Sequence, residues 1–347
     1  MHEMIPNPWR GRGLPGGTLR PLAGASAVTA LLSRCPAHAA TPLLSLPSLA
    51  QECGIAELWI KDERARMGLG SFKALGAAHA IAREAVATGS PDLSTALKGR
   101  TFVTASAGNH GLSVAAGAKL FGAKAMIFLS EAVPEAFSER LRAKGAEVVR
   151  AGADYEASMQ AAAATAAAQN LTLLSDSTWP GYTDLPLRVM EGYLQLAAEA
   201  AAEIPQAPTH ILLQAGVGGL AAAVAAHARL VWGDAPQIIV FEPDAAPALL
   251  ESIRAGRLVD TTGPASNMGR LDCKTPSMVA LNGLAHDADH FLTISDAEAE
   301  ATVAHLAKHG LPTTPSGCAG VAALYAGLTL PATARVLAIL SEGPEDV

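Results

Sequence analysis

Long apolar runs are missing from this chain. The alanine-rich stretch 161–168 is short and flanked by polar residues, so no segment is long enough to span a bilayer. The N-terminal stretch MHEMIPNPWRGRGLPGG places proline and glycine where a signal peptide needs an apolar core. Basic runs are also missing, and the formal net charge is −7, which argues against a nucleic-acid footprint and against a polybasic membrane patch. The four cysteines, Cys35, Cys53, Cys273 and Cys318, form no CxxC pair, and the ten histidines form no HExxH, so no zinc site is expected. What remains is the expectation of a cytoplasmic protein acting on a small molecule, with no nucleic-acid and no membrane partner.

Half of the residues are hydrophobic and only 4% are aromatic. Much of the apolar content is alanine, which suits closely packed helices. A chain of 347 residues can bury a large core without disulfides, and its length favours about two domains. Strand-like and helix-like segments alternate. ELWIKDE (57–63), TFVTAS (101–106), KAMIFLS (124–130), EVVRAG (147–152), LTLLSDS (171–177), THILLQ (209–214), QIIVFEP (237–243) and ARVLAILSEG (334–343) read as strands. Helical patterns lie between them, at 72–87, about 110–121, 134–146 with Pro134 at the first helical position, 154–169, 188–203, 219–230 and 295–310 with Ser295 as cap. This order predicts an α/β fold: open, mostly parallel twisted sheets with helices on both faces. The loop TWPGYTDLP (178–186) is the candidate crossing between domains.

In open α/β sheets ligands sit at the carboxyl ends of strands. Three glycine-bearing loops have that placement: SAGNHG (106–111), QAGVGGLAAAV (214–224) and SEGPED (341–346). The second admits two readings. Gly216-Val217-Gly218-Gly219-Leu220-Ala221 fits the dinucleotide fingerprint, with Glu242 at the end of the next strand as a ribose-binding acid. The same loop also reads as backbone N–H groups at a helix N-terminus holding a phosphate. In the first loop, small side chains let N–H groups face a carboxylate, and Asn109 can bond an aromatic hydroxyl or ring oxygen; ordinary turn chemistry is the alternative. Lys73, in GLGSFKALGAAHA (68–80), sits where a glycine-bearing loop meets a helix. A lysine, a phosphate cradle and the neutral hydroxyl of Ser341 are together what pyridoxal phosphate requires. A dehydrogenase needs no such lysine.

SFKALGA, SAGNHG and GVGG resemble the Schiff-base lysine, substrate-carboxylate and phosphate motifs of the β-family, or fold type II, pyridoxal-phosphate enzymes. Within that family, TPLLSLPSLA, DSTWPGYTDLP, RVMEGY, EPD and LSEGPED make the chain most similar to diaminopropionate ammonia-lyases. The resemblance implies a tryptophan synthase β-like fold with a large cofactor-binding domain (1–85 and 190–347), a small domain (86–189), and a homodimer. It implies Lys73 as the Schiff-base residue, Asn109 at the cofactor 3′-oxygen, and Gly216, Val217, Gly218 and Gly219 at its phosphate. It further implies Ser341 at the pyridine nitrogen, Ser106, Ala107, Gly108 and His110 at the substrate, and Asp176 as a second catalytic group. Two positions depart from the pattern. Ala107 stands where these lyases carry an aspartate associated with the D-isomer, and Pro315 stands where an acid often precedes the SGAAG element.

The expected reaction is β-elimination of ammonia from 2,3-diaminopropionate, L-isomer preferred, with pyruvate as product. Lys73 is expected to be the base, its pKa lowered by desolvation. Asp176 is expected to hold or supply the proton of the leaving amine with a raised pKa; a turn or capping aspartate is its alternative reading. A serine, threonine or hydroxyaspartate dehydratase, favoured by Ala107, is a second reading. A nicotinamide-dependent oxidoreductase is a third, and a cofactor-binding protein without activity a fourth.

Overall fold

A computed structural model of the chain describes residues 4–344. Glu345 and Asp346 of the third glycine loop lie outside them. Eleven strands lie among the described residues: β1 (Ile5–Pro6), β2 (Leu43–Ser45), β3 (Glu57–Asp62), β4 (Thr101–Ala105), β5 (Lys124–Leu129), β6 (Glu147–Arg150), β7 (Thr172–Leu173), β8 (His210–Gln214), β9 (Gln237–Pro243), β10 (His290–Ile294) and β11 (Arg335–Leu340). They form two sheets. The larger has the order β1-β10-β9-β8-β11-β3-β2 and the smaller β6-β5-β4-β7. Every pairing is parallel except β1 with β10 and β2 with β3. The α/β reading with mostly parallel sheets is correct. Strands such as HILLQ, buried at every residue, read as continuous apolar runs because helices cover both faces.

The strand order contains the reversal that makes a ligand crevice. From β8 the chain steps outward to β9 and β10, and β11 returns between β8 and β3. The carboxyl ends of β3, β8 and β11 therefore adjoin at a switch point. In the smaller sheet β4 lies between β5 and β7, so the loops after β4 and β7 are neighbours.

The helix Lys73–Ala87 packs against Asp184–Glu203 at glycine contacts. A Cβ on Gly192 would sit 2.4 Å from the Leu75 carbonyl oxygen, so only glycine permits this approach. Two local readings change. Pro134 is the residue before the helix Glu135–Ala143 rather than its first turn. LTLLSDS pairs only at Thr172–Leu173, because the Tyr182 hydroxyl takes the N–H of Ser175 (3.1 Å) and bonds the carbonyl of Leu173 (2.8 Å). The strands β1, β2 and β10 are not among those read from the sequence; β1 and β2 cover the sheet edges.

Candidate active site

Lys73 is delivered by a segment pinned on both sides. After β3 the chain enters a buried charge network. The Arg66 guanidinium forms paired bonds to Glu63 (2.7 and 2.7 Å) and to Glu199 (3.0 and 2.6 Å), and the Lys61 ammonium reaches Glu199 at 2.7 Å. Glu199 belongs to the helix Asp184–Glu203, so the network ties the loop to the helix on which Lys73–Ala87 rests. Gly70 then adopts φ +81°, a left-handed conformation that glycine takes without strain. Residues 70–72 next run beside 341–343: Phe72 N–H donates to the Ser341 carbonyl (3.1 Å), and Gly343 N–H to the Gly70 carbonyl (3.0 Å). Lys73 is the first residue of its helix. That contact answers why a lysine sits at this junction: it stands beside the end of β11.

Asp176 comes from the other sheet. It follows β7, and the DSTWPGY segment folds into a hairpin in which Trp179 and Tyr182 exchange backbone bonds (3.2 and 2.9 Å) and stack at 4.4 Å. Thr178 anchors this hairpin through Ser277 (N–H to Oγ, 3.1 Å) and Val279, whose N–H donates to Thr178 Oγ1 (2.8 Å). Thr178 thereby caps the start of the helix Met278–Asp287.

Lys73 Nζ and Asp176 form an ion pair, with side chains 19% and 16% exposed. The sequence expectation concerned the amine and acid during the reaction; the resting pair is charged. Burial by itself pushes Lys73 down, but the Asp176 carboxylate outweighs it and holds the ammonium above its ordinary value. Burial likewise favours a neutral Asp176, yet Lys73, with a smaller effect from His110, holds the carboxyl well below the usual range. Opposite charges at contact exceed the desolvation of each, so both groups are ionised in this state.

The loop after β4 lies alongside. Ser106 Oγ accepts the Gly108 N–H (3.2 Å), so this hydroxyl shapes the turn. His110 Nε2 bonds the Leu174 carbonyl (2.9 Å) and burial lowers the ring's pKa. The Asn109 amide donates to the Glu342 carboxylate, which also accepts the Thr314 hydroxyl and pairs with Arg270 (3.2 Å). Arg270 packs against the loop after β4: a Cβ on Gly108 would lie 3.7 Å from its Cδ and Nε. Sequence reasoning missed Arg270, Glu342, Thr314 and Tyr193. No motif marks Arg270; Glu342 lies in SEGPED, Thr314 directly precedes Pro315, and Tyr193, whose ring centroid is 6.0 Å from Lys73 Nζ, lies in RVMEGY, but what each touches is a tertiary relation.

The phosphate-sized loop follows β8. Gly218 adopts φ +96°, and the helix Gly219–Trp232 begins with no side-chain cap on its N–H groups. A Cβ on Gly216 would be 3.0 Å from Cys273 Sγ and from Leu271 Cα, so the backbone is bare there. Burial pushes the Cys273 thiol up to about 12, which keeps it protonated. Glu242, the acid expected at a ribose, is not at the site. It is buried and accepts the N–H groups of Leu249 and Leu250 (both 2.8 Å), capping the helix Ala248–Ala255. Burial raises it to about 8. The dinucleotide reading therefore loses its acid.

These features fit pyridoxal phosphate. A buried, uncapped helix start suits a dianion. A lysine stands at the meeting of the two sheets, and the buried Ser71 Oγ and His110 Nδ1 have no hydrogen-bond partner among the described residues. Fold and site together define a fold type II, pyridoxal-phosphate-dependent enzyme. Residues 35–342 match the family described as "Pyridoxal-phosphate dependent enzyme", and the chain belongs to that family. It is 31% identical to a diaminopropionate ammonia-lyase of Salmonella typhimurium, over 99% of this chain and 96% of the relative. It is 33% identical to that of Escherichia coli K12, over 75% and 69%. The crystal structure of the Escherichia coli lyase with an aminoacrylate-PLP azomethine reaction intermediate superimposes with a TM-score of 0.88, at 29% identity, covering all of this chain and 94% of that one.

Proposed function

We propose that this enzyme is an ammonia-lyase that converts 2,3-diaminopropionate and water to pyruvate and two ammonia, with the L-isomer preferred. The observation that carries the reading is the Lys73–Asp176 pair, which joins the cofactor lysine to an acid supplied by the DSTWPGY hairpin. The likeness to the diaminopropionate ammonia-lyases supports the substrate.

Lys73 would hold the cofactor, the loop Gly216–Gly219 its phosphate, Ser341 its ring nitrogen, and Asn109 its 3′-oxygen. Bound there, pyridoxal phosphate supplies an electron sink that acidifies the substrate Cα–H. The residues of the chain do the rest. Lys73 Nζ would take the Cα proton once its amine is released from the cofactor and neutral. The loop of Ser106, Ala107, Gly108 and His110 would face the substrate carboxylate beside the Arg270 guanidinium; the Ser106 N–H is held by the Phe128 carbonyl (3.2 Å) and the Gly108 N–H by Ser106 Oγ (3.2 Å), so the Ala107 N–H is the donor this turn would offer. The β-amino group leaves as a neutral amine only if a proton accompanies it. Asp176, in contact with Lys73, is placed to receive that proton from Nζ and pass it on. At rest Asp176 is ionised, so it acts first as an acceptor and then as a donor.

Ala107 supports a second reading, a serine or threonine dehydratase on the same fold. A screen for pyruvate, 2-oxobutyrate and oxaloacetate with L- and D-diaminopropionate, serine, threonine and hydroxyaspartate decides between them. Highest kcat/KM on L-diaminopropionate upholds the first reading; highest kcat/KM on a hydroxy amino acid replaces it. Residues 86–189 as a separate small domain, a homodimer and a cytoplasmic location belong to the same proposal. No helix among the described residues is long and apolar enough to cross a membrane.

A further inference from the structure

Two imidazoles and one carboxylate converge far from the cofactor site. His305 lies in the last turn of the helix Asp296–Lys308, and His309 follows directly as its C-cap. Their four-residue spacing sets both rings on one helix face, tilted by 49° with centroids 4.9 Å apart. Glu52 ends the helix Pro47–Glu52, 253 residues away in the chain from His305. Its Oε2 is 2.8 Å from His305 Nε2 and its Oε1 is 3.6 Å from His309 Nε2. The three ligand atoms all lie within 4.8 Å of one another.

Ligand atoms of a tetrahedral zinc ion, with bonds of about 2.0–2.1 Å, are roughly 3.3 Å apart. The two carboxylate–imidazole separations, 2.8 and 3.6 Å, bracket that value before any ion binds, and the two imidazole nitrogens lie within 4.8 Å. Little rearrangement is needed, because the helix fixes both imidazoles and the hydrogen bond to His305 already aims the carboxylate. Side-chain exposures of 30–39% leave the cluster open to solvent, and a cavity of about 370 Å³ adjoins His305 and Tyr325. Two neutral nitrogens and one anionic oxygen suit a borderline divalent ion better than Mg²⁺ or Ca²⁺, which take oxygen ligands.

We propose that Glu52, His305 and His309 form a zinc-binding site with water as the fourth ligand. Binding breaks the His305–Glu52 hydrogen bond; a neutral imidazole then carries its proton on Nδ1, and an imidazolium loses its Nε2 proton to solvent. The site lies at the amino end of the larger sheet. Glu52 precedes β3, and the helix bearing His305 starts after the carboxyl end of β10 and runs back. The ion therefore clips the helix before β3 to the one after β10, opposite the cofactor crevice. It is a structural staple and takes no part in the elimination.

The test uses tag-free, cofactor-loaded enzyme titrated with Zn²⁺ by calorimetry and with Co²⁺ by its visible d–d absorbance. One ion per chain is expected. His305→Ala, His309→Ala and Glu52→Gln should each weaken binding by at least about tenfold, since losing even an outer partner of a ligand costs that much. Saturating Zn²⁺ should raise the melting temperature of the unmodified enzyme by a few degrees and leave that of His305→Ala unchanged, with pyruvate release similar in both. No binding in the unmodified enzyme overturns the proposal. So does binding that persists undiminished in all three variants, which would place the ion elsewhere. The variants' cofactor absorbance reports that they are folded.

Discussion

Lys73 and Asp176 meet as an ion pair although they arise from different sheets, one beside the end of β11 and one after β7. Each holds the other in its charged form. The pair is thus assembled only when both sheets are in place.

Lys73 is expected to be the sole attachment point of the cofactor. Borohydride reduction of the loaded enzyme followed by peptide mapping should put the pyridoxyl group on Lys73. A label on any other lysine removes the assignment.

Replacing Asp176 removes the charge that raises Lys73, leaving burial, which lowers it. Asp176→Asn should therefore attach pyridoxal phosphate at lower pH than the unmodified apo-protein, because more of the amine is neutral there. Its kcat/KM for L-diaminopropionate should fall by about 10²–10⁴-fold while cofactor absorbance persists. Loss of the cofactor would make Asp176 structural; undiminished turnover would leave it without a chemical role.

Ala107 has no titratable group, so the loop after β4 offers no acceptor at that position. The D-isomer should be the poorer substrate, and Ala107→Asp should raise its turnover. Equal rates on both isomers in the unmodified enzyme contradict this.

Glu199 is largely buried against Arg66 and Lys61. Burial would raise its pKa, but the Arg66 hydrogen bonds and charge bring it down to about 2. A carboxyl with a depressed folded-state pKa contributes stability above its unfolded value, near 4.3, and loses it as pH falls toward 2. The urea midpoint should drop across that window, and Glu199→Gln should flatten the drop while lowering stability at pH 7. A Glu199→Gln curve parallel to that of the unmodified enzyme would refute the linkage.

Arg270 packs on Gly108, and it lies beside Glu342. Arg270→Ala is expected to raise KM for amino-acid substrates by about tenfold, the size of a lost charge-assisted contact, with a smaller change in kcat. Tighter binding of an unreactive amino acid, read from the cofactor spectrum, would count against it.

The sequence by itself determined the alternation of strands and helices, the glycine loops at three strand ends, and the lysine at a loop–helix junction. Periodicity, caps and left-handed glycines are local, and the chain displays them directly. The strands β1, β2 and β10 escaped: β1 and β2, of two and three residues, hold too little pattern, and β10 was not read although it is as long as β4 and β8. The sequence also misplaced one acid. Glu242 has the right spacing for a ribose acid, but the helix Ala248–Ala255 starts beside it and takes its carboxylate. Asp176 and Lys73 were each read as desolvated alone, whereas they are desolvated together. Tertiary structure decided the partners: Asn109 with Glu342, Arg270 with Gly108, Glu52 with two histidines. A pKa, like a hydrogen bond, belongs to a pair of groups in space, and 103 residues separate Lys73 from Asp176 along the chain. Only the folding of one sheet against the other brings their charges within reach.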